Sequence, residues 1–588
     1  MLFLLAPTAL IAGTPAKPKM NVLFLAADDL RIQLGVDRVP GTPEMHTPNF
    51  DTIIGDSLFL RQAQVQQAVC SPTRTSALTS RYPDTTRVWD LVSYFRDVGG
   101  NYTTIPQLFK EAGYHTTGGG KIFHPGKASG GGPGNSKEDD APYSWSEPFY
   151  HSNTSSYWST NQKQPGCDEC TGHSWISVSP EAEVKIPLPD AQIAENALAT
   201  LEQHAANGVG KDLEKPGAAP FFLAVGFHKP HLPFVAPSRF HDLYPLDDIE
   251  LPGDQQPPTG MPKVAWSNWG ELRNYPDIAA LNNSGTPGDV LPANVTKALR
   301  RAYYAAVSFT DYNIGLVMAS LRKHGYYDNT VVSFWGDHGW QLGEHGEWCK
   351  HTNFNLATNA PMFVRVPGRT DGGVMSSTPT EYLDLMPTLA TAAMGVSVPV
   401  CPADATKSRK VQLCTHGTSL LPLIDAPHTA VKRAAYSQYP RGYQKPGGQL
   451  TVEEDDEATV LEDDALFDAL PTATAGDGVG AQLAPSKCLT GKCTMGYSML
   501  TQHNGTYYRY TEWVDFNVKV ADGPDWDRVV GTELYDHAAD PMENTNLAAS
   551  AKKGLLGTLS TLLHQHPVWA SSAPSASQGR AIAGSEEA

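Results

Sequence analysis

The run Cys70-Ser-Pro-Thr-Arg74 places a thiol, a proline and a guanidinium at the start of a helical stretch that extends to Leu78. Proline favours the first turn of a helix, so the run predicts that Cys70 lies at a helix N-terminus. The partial positive charge there favours an oxyanion, and Arg74 can reach back along the same turn. The run therefore suits a nucleophile that attacks an anionic ester. A buried or disulfide-bonded cysteine before a surface helix is the alternative, and the pentapeptide by itself favours it.

Acidic residues directly follow two apolar segments. Asp28-Asp29 comes after residues 22–27, and Asp337-His338 comes after residues 330–335. Carboxylates are the ligands that a hard divalent cation prefers, and Ca²⁺ takes roughly six to eight oxygens at about 2.3–2.6 Å. The group at position 70 and a bound anion would have to complete that shell. An N-cap and turn role is the commoner use of an Asp-Asp pair, and it stays open for Asp28 and Asp29.

Further lysines and histidines occur in polar contexts that contain glycine or proline: Lys121, His124, His228 and Lys350. Each alone is more often a surface lysine or a hydrogen-bonded histidine. Together, the lysines predict the binding of an anion. The histidines, whose unperturbed pKa is about 6.5, predict proton transfer.

Short apolar segments alternate with helical patterns along most of the chain. Residues 22–27, 220–227 and 330–335 suit strands covered on both faces, and residues 104–112, 189–205 and 292–323 have helical periodicity. This alternation predicts a doubly wound α/β domain. Because ligands of such sheets bind at the carboxyl ends of the strands, the polar residues that follow the three segments are expected to meet in one crevice.

The pattern changes between residues 425 and 432, and strand-like segments at 496–500 and 506–513 follow. We therefore expect a catalytic domain at residues 17–428 and a smaller α+β domain on an antiparallel sheet at 429–570. Within the latter, residues 452–480 are acidic and then rich in Ala, Gly and Thr, which predicts a mobile insertion. Residues 571–588 are expected to be a disordered tail.

Length and charge limit the class of protein. The 588 residues carry 44 Lys and Arg against 62 Asp and Glu, a formal net charge of −18. Such a chain repels nucleic acid, so no nucleic-acid partner is expected. An anionic polymer could bind only in a local cationic pocket.

The N-terminal segment, residues 1–16, is apolar, ends in small residues and is too short to span a bilayer. We interpret it as a signal peptide, with a frayed or misassigned start as the alternative. No other segment is apolar enough for stable membrane insertion. N-x-S/T motifs, compatible with export and glycosylation, occur at Asn101, Asn153, Asn282, Asn294 and Asn504.

The cysteines other than Cys70 fall mostly into pairs that are close in sequence: Cys167/Cys170, Cys401/Cys414 and Cys488/Cys493. Such pairs can form disulfides in an oxidising compartment. Cys349 is then left without a partner. Zinc is not expected, because the Cys167–Cys170 motif has no second CxxC or HxxxH partner in the sequence.

Residues 70–74 match the C-x-P-x-R signature, and the chain resembles the sulfatase family, within it the group of iduronate 2-sulfatases. The resemblance is collinear from about residue 19 to 548. It rests on residues 21–30, 66–74, 81–87, 120–126, 141–145, 221–231, 337–348 and 435–441. It implies an alkaline-phosphatase-like fold, with a large mixed sheet flanked by helices and a C-terminal subdomain.

The resemblance also implies a chemistry. A formylglycine-generating enzyme would convert Cys70 to an aldehyde, whose hydrate attacks sulfur and passes through a covalent sulfate-enzyme intermediate. The metal would be one Ca²⁺ held by Asp28, Asp29, Cys70, Asp337 and His338. The catalytic residues would be Cys70, Arg74, Lys121, His124, His228 and Lys350. The substrate-binding residues would be Lys121, His228, Trp340, Trp348 and Lys350.

The implied reaction is removal of the 2-O-sulfate from terminal iduronate of heparan or dermatan sulfate, in a lysosomal or secreted setting. Several positions depart from the family pattern. Cys349 stands where a small alanine is expected, residues 130–134 form a glycine-rich stretch near the expected uronate rim, and the Cys167–Cys170 spacing is tight. Cys488 and Cys493 look like additions.

Three other functions stay open. The first is a sulfatase for another sulfated sugar. The second is a phosphomonoesterase or phosphodiesterase on the same fold, which would be expected to use Ser or Thr and a second metal. The third is a non-catalytic protein that binds sulfated glycan, which would follow if Cys70 remained a thiol.

Overall fold

The computed structural model describes residues 19–37, 39–40, 42–131, 138–152, 163–164, 167–171, 173–185, 187–442, 488, 492–517 and 523–569. The expected signal peptide, acidic insertion and tail lie outside these residues, as do Asn153 and most of the glycine-rich stretch. The side chains of Cys167 and Cys170 also lie outside the description.

A seven-stranded sheet forms the centre of the molecule. Its strands are β1 (Asn21–Asp28), β2 (Leu58–Leu60), β3 (His115–Gly120), β4 (Phe221–Pro230), β5 (Thr330–Gly336), β6 (Met362–Arg365) and β7 (Val374–Ser376). They lie in the order β7-β2-β6-β5-β1-β4-β3. Strands β3, β4, β1 and β5 are parallel, whereas β6 runs antiparallel to both of its neighbours. The expectation of a large mixed sheet is confirmed.

Helices cover both faces of this sheet. The longer ones are α1 (Cys70–Thr79), α2 (Pro189–Asn207), α3 (Ala293–Lys323) and α4 (Leu385–Met394). Because successive strand residues point to opposite faces, Leu23 and Leu25 of β1 pack in one cluster with α2 and α3, whereas Phe24 packs in another with α1 and α4. This two-sided burial explains why β1 is apolar without alternation.

Shorter elements connect these layers. The short strands are Ala63–Gln64, Lys163–Gln164, Cys167–Thr171, Trp175–Val178, Phe234–Pro237, Gln341–Leu342, Trp348–Cys349 and Thr380–Glu381. The short helices are Pro48–Ile54, Pro83–Thr86, Phe95–Val98, Ile105–Glu111, Pro180–Lys185, Ser238–His241, Gly270–Arg273, Pro276–Ala279, Asn355–Thr358, Ala405–Ser408 and Pro422–Asp425.

A second sheet follows in the chain. Its four antiparallel strands are β8 (Ala434–Arg441), β9 (Lys492–His503), β10 (Thr506–Asn517) and β11 (Pro524–Asp536), in sequence order, and the helix α5 (Lys553–His564) packs against it. This arrangement confirms the expected C-terminal α+β unit. The boundary between residues 428 and 429 stays a prediction.

Disulfides join Cys401 to Cys414 and Cys488 to Cys493, two of the pairs that are close in sequence, whereas Cys70 and Cys349 are buried and belong to neither disulfide. Within the described part of the chain, no helix combines the length and the apolarity that crossing a membrane requires. The described N-x-S/T asparagines are exposed. Their glycosylation stays a prediction.

Candidate active site at the carboxyl edge of the main sheet

The carboxyl ends of three parallel strands bring polar residues together. Asp28 ends β1, Lys121 follows β3, and Asp337 follows β5. Strands β3 and β4 approach so closely that a Cβ on Gly120, which has a φ of 80°, would lie 1.9 Å from the carbonyl oxygen of Gly226. Glycine is therefore required there, and it places Lys121 beside the strand end.

Cys70 is the first residue of α1 and is completely buried at this edge. Its Sγ lies 3.4 Å from Asp28 Oδ1 and 3.4 Å from His338 Nε2. The ammonium groups of Lys350 and Lys121 lie 3.6 and 3.9 Å from the same sulfur. The side chain at position 70 is thus surrounded by carboxylates, an imidazole and two cations.

Arg74, one turn further along α1, links this helix to two strand ends. Its Nε donates to Asp337 Oδ2 at 2.9 Å and its Nη2 donates to Asp28 Oδ1 at 3.1 Å. Its Nη1 donates to the backbone carbonyls of Lys121 and Ile122. A planar guanidinium can serve these separate acceptors at once, whereas a lysine could not. Arg74 therefore fixes the position of the helix terminus that carries Cys70.

Acidic and histidine ligand atoms converge around Cys70. Asp28, Asp337 and His338 offer atoms that lie within 4.8 Å of one another and of Cys70 Sγ. Asp29 has a φ of 60°, a left-handed conformation, and its backbone N–H donates to Asp337 Oδ1 at 3.0 Å. Such strain in a non-glycine residue is typical of functional sites, where the surrounding structure imposes it.

This donor set fits a divalent cation. Asp29 Oδ2 is buried and accepts no hydrogen bond from any residue that the structure describes. Three buried carboxylates gathered at one point repel one another, and a bound cation relieves that repulsion. With an oxygen in place of the sulfur at position 70, the set would be rich in oxygen, which suits a hard metal ion.

The two lysines hold different carboxylates. Lys121 Nζ lies 2.6 Å from Asp28 Oδ2, and Lys350 Nζ lies 3.0 Å from Asp29 Oδ1. Both lysines are almost fully buried. Lys350 also lies 5.3 Å from the centre of the Trp340 ring, a cation–π distance.

The surroundings shift the pKa values of Asp28 and Asp337 in opposite directions. Burial opposes ionisation of Asp28, but Lys121 and Arg74 outweigh it and hold its pKa well below the usual value. Burial, together with the charge of Asp28, raises the pKa of Asp337. Asp28 is therefore the firmly ionised member of the pair.

The structure describes four more residues that the sequence predicts for the site. His228 is half-buried in β4, and its backbone N–H donates to Asp190 Oδ1 at 2.9 Å. His124 is buried in the segment that follows Lys121. Trp340 and Trp348 are buried in the main hydrophobic core. Their roles in proton transfer and substrate binding stay predictions.

Two further residues lie at the site although the sequence did not single them out for a role. His231, next to Pro230 of β4, has Nε2 at 3.9 Å from Asp29 Oδ2 and 3.6 Å from Glu271 Oε1. Burial disfavours its charged form, but Asp29 and Asp28 raise the pKa of His231 to about 9. His231 belonged to a visible polar run, whereas Glu271 stands isolated in its sequence neighbourhood and gave no signal.

Comparison with known proteins gives a consistent result. The family model described as Sulfatase matches residues 20–396. The chain is 35% identical over 574 residues to the iduronate 2-sulfatase of Homo sapiens, covering 91% of this chain and 92% of that protein. A sulfatase of Formosa agariphila is 29% identical, covering 63% of this chain and 68% of its own length.

Solved structures share the fold at low identity. The phosphonate monoester hydrolase from Silicibacter pomeroyi has a TM-score of 0.61 at 19% identity, covering 93% of this chain and 95% of its own. A protein solved with its substrate D-glucosamine-2-N,6-O-disulfate has a TM-score of 0.58 at 18% identity, covering 93% and 98%. The fold is thus of the sulfatase and alkaline-phosphatase type. The chain belongs to the sulfatase family.

Proposed function

We propose that this sulfatase removes the 2-O-sulfate from terminal iduronate residues of heparan- or dermatan-type glycosaminoglycans, with position 70 in the formylglycine form. The observation that carries the proposal is the 35% identity to a named iduronate 2-sulfatase over 91% of the chain. The placement of Cys70 between carboxylates and lysines supports the same chemistry.

Position 70 supplies the nucleophile in this proposal. An aldehyde hydrate has two hydroxyls on one carbon: one attacks sulfur and displaces the alcohol, and proton loss from the other then re-forms the carbonyl and releases sulfate. Asp28 and His338, both 3.4 Å from Cys70 Sγ, would accept protons from the hydroxyls or hold them in position. A thiol at this position lacks the second hydroxyl and hence the release step.

Fixed cations would hold the sulfate. Lys121 and Lys350 flank position 70 from separate strand ends, and the N-terminus of α1 adds partial positive charge. A bound calcium ion would add positive charge on the sulfate oxygens, held by Asp28, Asp29, Asp337, His338 and the oxygen at position 70. Because these groups are buried, their field on the sulfate is weakly screened.

Proton transfer to the leaving sugar oxygen is assigned to His124 and His228. His124 follows the end of β3, and His228 lies near the carboxyl end of β4, at the edge of the sheet where Asp28 and Asp337 lie. Imidazole is the side chain whose unperturbed pKa, about 6.5, best suits that task. Lys350 would also attract the carboxylate of a uronate, with Trp340 beneath its ammonium and Trp348 on the same loop.

The sugar can be tested with two defined substrates and one variant. We expect sulfate release from a saccharide ending in 2-O-sulfated iduronate, with kcat/KM at least roughly 100-fold above that for a 6-O-sulfated glucosamine saccharide. Cys70→Ala should keep the thermal unfolding midpoint and lose turnover. Release from the glucosamine substrate alone would move the function to a sulfatase for another sugar, and an active Cys70→Ala variant would refute the nucleophile.

The cellular setting is part of the proposal. Disulfides at Cys401–Cys414 and Cys488–Cys493 suit an oxidising compartment, where a formylglycine-generating enzyme would act on Cys70. Export through the secretory pathway, with a lysosomal or secreted destination, agrees with the exposed N-x-S/T asparagines. Glycosidase treatment followed by mass measurement of the secreted protein tests this setting.

A further inference from the structure

Glu271 is a buried carboxylate close to position 70 but outside the group of proposed metal ligands. It belongs to the short helix Gly270–Arg273 and is 5% exposed. Its Oε1 lies 3.2 Å from Lys350 Nζ and 3.6 Å from His231 Nε2. A carboxylate is costly to bury unless charged or hydrogen-bonding partners compensate it, and Lys350 and His231 are such partners.

The helix of Glu271 is attached to the loop of Lys350 at several points. It packs against the strand Trp348–Cys349, which directly precedes Lys350. Just before the helix, the backbone N–H of Ser267 donates to Glu347 Oε1 at 3.0 Å. The Glu271 carboxylate and the Lys350 ammonium are therefore held in fixed relative positions.

Lys350 contacts two carboxylates, of which only one belongs to the proposed metal-ligand set. Asp29 Oδ1, 3.0 Å from Lys350 Nζ, is also a member of the proposed metal-ligand set. A cation bound by Asp29 would share the charge of that carboxylate and repel the ammonium of Lys350. Glu271 would then be the carboxylate that keeps Lys350 beside position 70, 3.6 Å from Cys70 Sγ.

We propose that Glu271 is a positioning residue, which holds the Lys350 ammonium next to the nucleophile while the metal occupies Asp29. This inference rests on the proposed function of the site and extends it to a residue without a sequence motif. Glu271 is outside the proposed metal-ligand groups, and in this proposal it acts through Lys350. The negative charge of Glu271 would by itself repel sulfate, but Glu271 favours sulfate binding because it holds Lys350 in place.

The test compares Glu271→Gln with Glu381→Gln in the full-length, calcium-loaded protein. Glu381 is a matched control, because it is a buried carboxylate that pairs with a lysine, Lys432, at 2.6 Å. Binding of inorganic sulfate and of calcium is measured by calorimetry. Glu271→Gln should weaken sulfate binding about 10-fold and raise KM more than it lowers kcat, with calcium affinity within about twofold of wild type. The control should change neither affinity.

Several results would overturn the inference. Unchanged or tighter sulfate binding in Glu271→Gln would mean that Glu271 only reduces the local positive charge. A loss of calcium affinity as large as the loss of sulfate affinity would mean that Glu271 is a metal ligand. The double variant Glu271→Gln/Lys350→Met should bind sulfate no more weakly than Lys350→Met, and additive losses would contradict action through Lys350. If Glu271→Gln does not fold, Glu271→Asp gives the same comparison with the charge retained and the reach shortened.

Failure of the proposed function gives a different pattern. If wild type releases no sulfate from the iduronate substrate but Glu271→Gln still weakens sulfate binding, the choice of sugar is wrong and the role of Glu271 stands.

Discussion

Asp337 illustrates how one side chain serves several parts of the site. Its Oδ1 accepts hydrogen bonds from the backbone N–H groups of Asp29 and His338, and its Oδ2 accepts a hydrogen bond from Arg74 Nε. These donors orient the carboxylate at the end of β5, so that it completes the group formed with Asp28 and Cys70. A neutral amide of the same shape would keep some of these hydrogen bonds but lose the charge that a metal requires.

Asp337→Asn should therefore weaken calcium retention by about 10- to 100-fold and lower activity with it. Calcium content is measured by elemental analysis after dialysis, with calorimetric titration of the stripped protein. Asp56→Asn is the control, because Asp56 pairs with Arg365 at 2.7 Å on another part of the fold. Unchanged calcium affinity in Asp337→Asn would remove Asp337 from the ligand set.

At the scale of residues, the sequence predicted the acids and lysines that follow strand ends. In the sequence, the end of a strand is marked by the change from an apolar segment to polar residues. Asp28 is the last residue of β1, and Lys121 and Asp337 directly follow β3 and β5. Glu271 could not be predicted in this way, because its short helix reaches the site through tertiary packing alone. His231 was visible in its run, but sequence gave no means to choose between it and His228.

At the scale of elements, the segment after β5 is fastened from three sides. Glu344 pairs with Arg31 at 3.0 Å and with Arg300 of α3 at 3.1 Å. Arg441, at the end of β8, donates to the carbonyl oxygen of His351 at 2.6 Å. These contacts hold the loop that carries Lys350, and Tyr439 and Trp513 of the second sheet pack in one cluster with Cys70, so the second sheet contributes to the site.

The buried Glu344 pair predicts a pH-dependent stability. Burial opposes its ionisation, but Arg31 and Arg300 lower the pKa of Glu344 to about 2. Because the folded pKa is below the unfolded value of about 4.5, the stabilisation is complete above pH 4.5 and is lost as the pH falls through 2. Glu344→Gln should cost about 3–5 kcal/mol at pH 6, since it leaves two buried arginines without their carboxylate.

Urea unfolding at pH 6 and pH 3 measures this effect. The difference in the free energy of unfolding between wild type and Glu344→Gln should be smaller at pH 3 than at pH 6. Glu183→Gln is the control, because the partner of Glu183, Arg239, is 49% exposed. An exposed pair of this kind contributes about 0–1 kcal/mol. Equal losses in the two variants would contradict the assignment.

The elements of the main sheet were predictable where periodicity and length agree. The apolar segments became β1, β4 and β5, and the long helical patterns became α2 and α3 with ends shifted by a few residues. Strands such as Val374–Ser376 are too short for a periodic signal, and their pairing depends on distant residues. The antiparallel β6 was likewise visible only in the structure.

At the scale of the whole molecule, buried histidines and buried carboxyls have opposite effects on the free energy of unfolding as the pH falls. Burial, and for some of them nearby cations, lowers the pKa of His204 and His241 to about 4, that of His416 to about 3, and that of His566 well below 6.5. Burial raises the pKa of Asp139 and Asp311 to about 6 and that of Glu347 and Glu533 to about 7.

These shifts have opposite signs in their effect on folding. A histidine with a lowered pKa stabilises above its unfolded value of about 6.5 and loses about 2 kcal/mol between pH 7 and 5. A carboxyl with a raised pKa gains about 1–2 kcal/mol over the same interval, because the folded state binds the proton first. The net free energy of unfolding should therefore change by less than about 3 kcal/mol from pH 7 to 5.

Urea unfolding of the calcium-saturated protein at pH 7, 6 and 5 tests this balance. Glu533→Gln removes one carboxyl that gains stability in acid, so the variant should lose about 2 kcal/mol more than wild type between pH 7 and 5. A wild-type loss well above 5 kcal/mol would mean that the histidines dominate. That protein would be poorly suited to an acidic compartment.

The central claim concerns the chemical form of position 70, and mass spectrometry of the tryptic peptide spanning residues 62–74 tests it most directly. The protein should be produced through an oxidising secretory pathway. We predict a peptide about 18 Da lighter than the cysteine form, or its hydrate of nearly unchanged mass, and in both cases no alkylation at position 70. Stoichiometric alkylation of Cys70 in a preparation with full sulfatase activity would contradict the account.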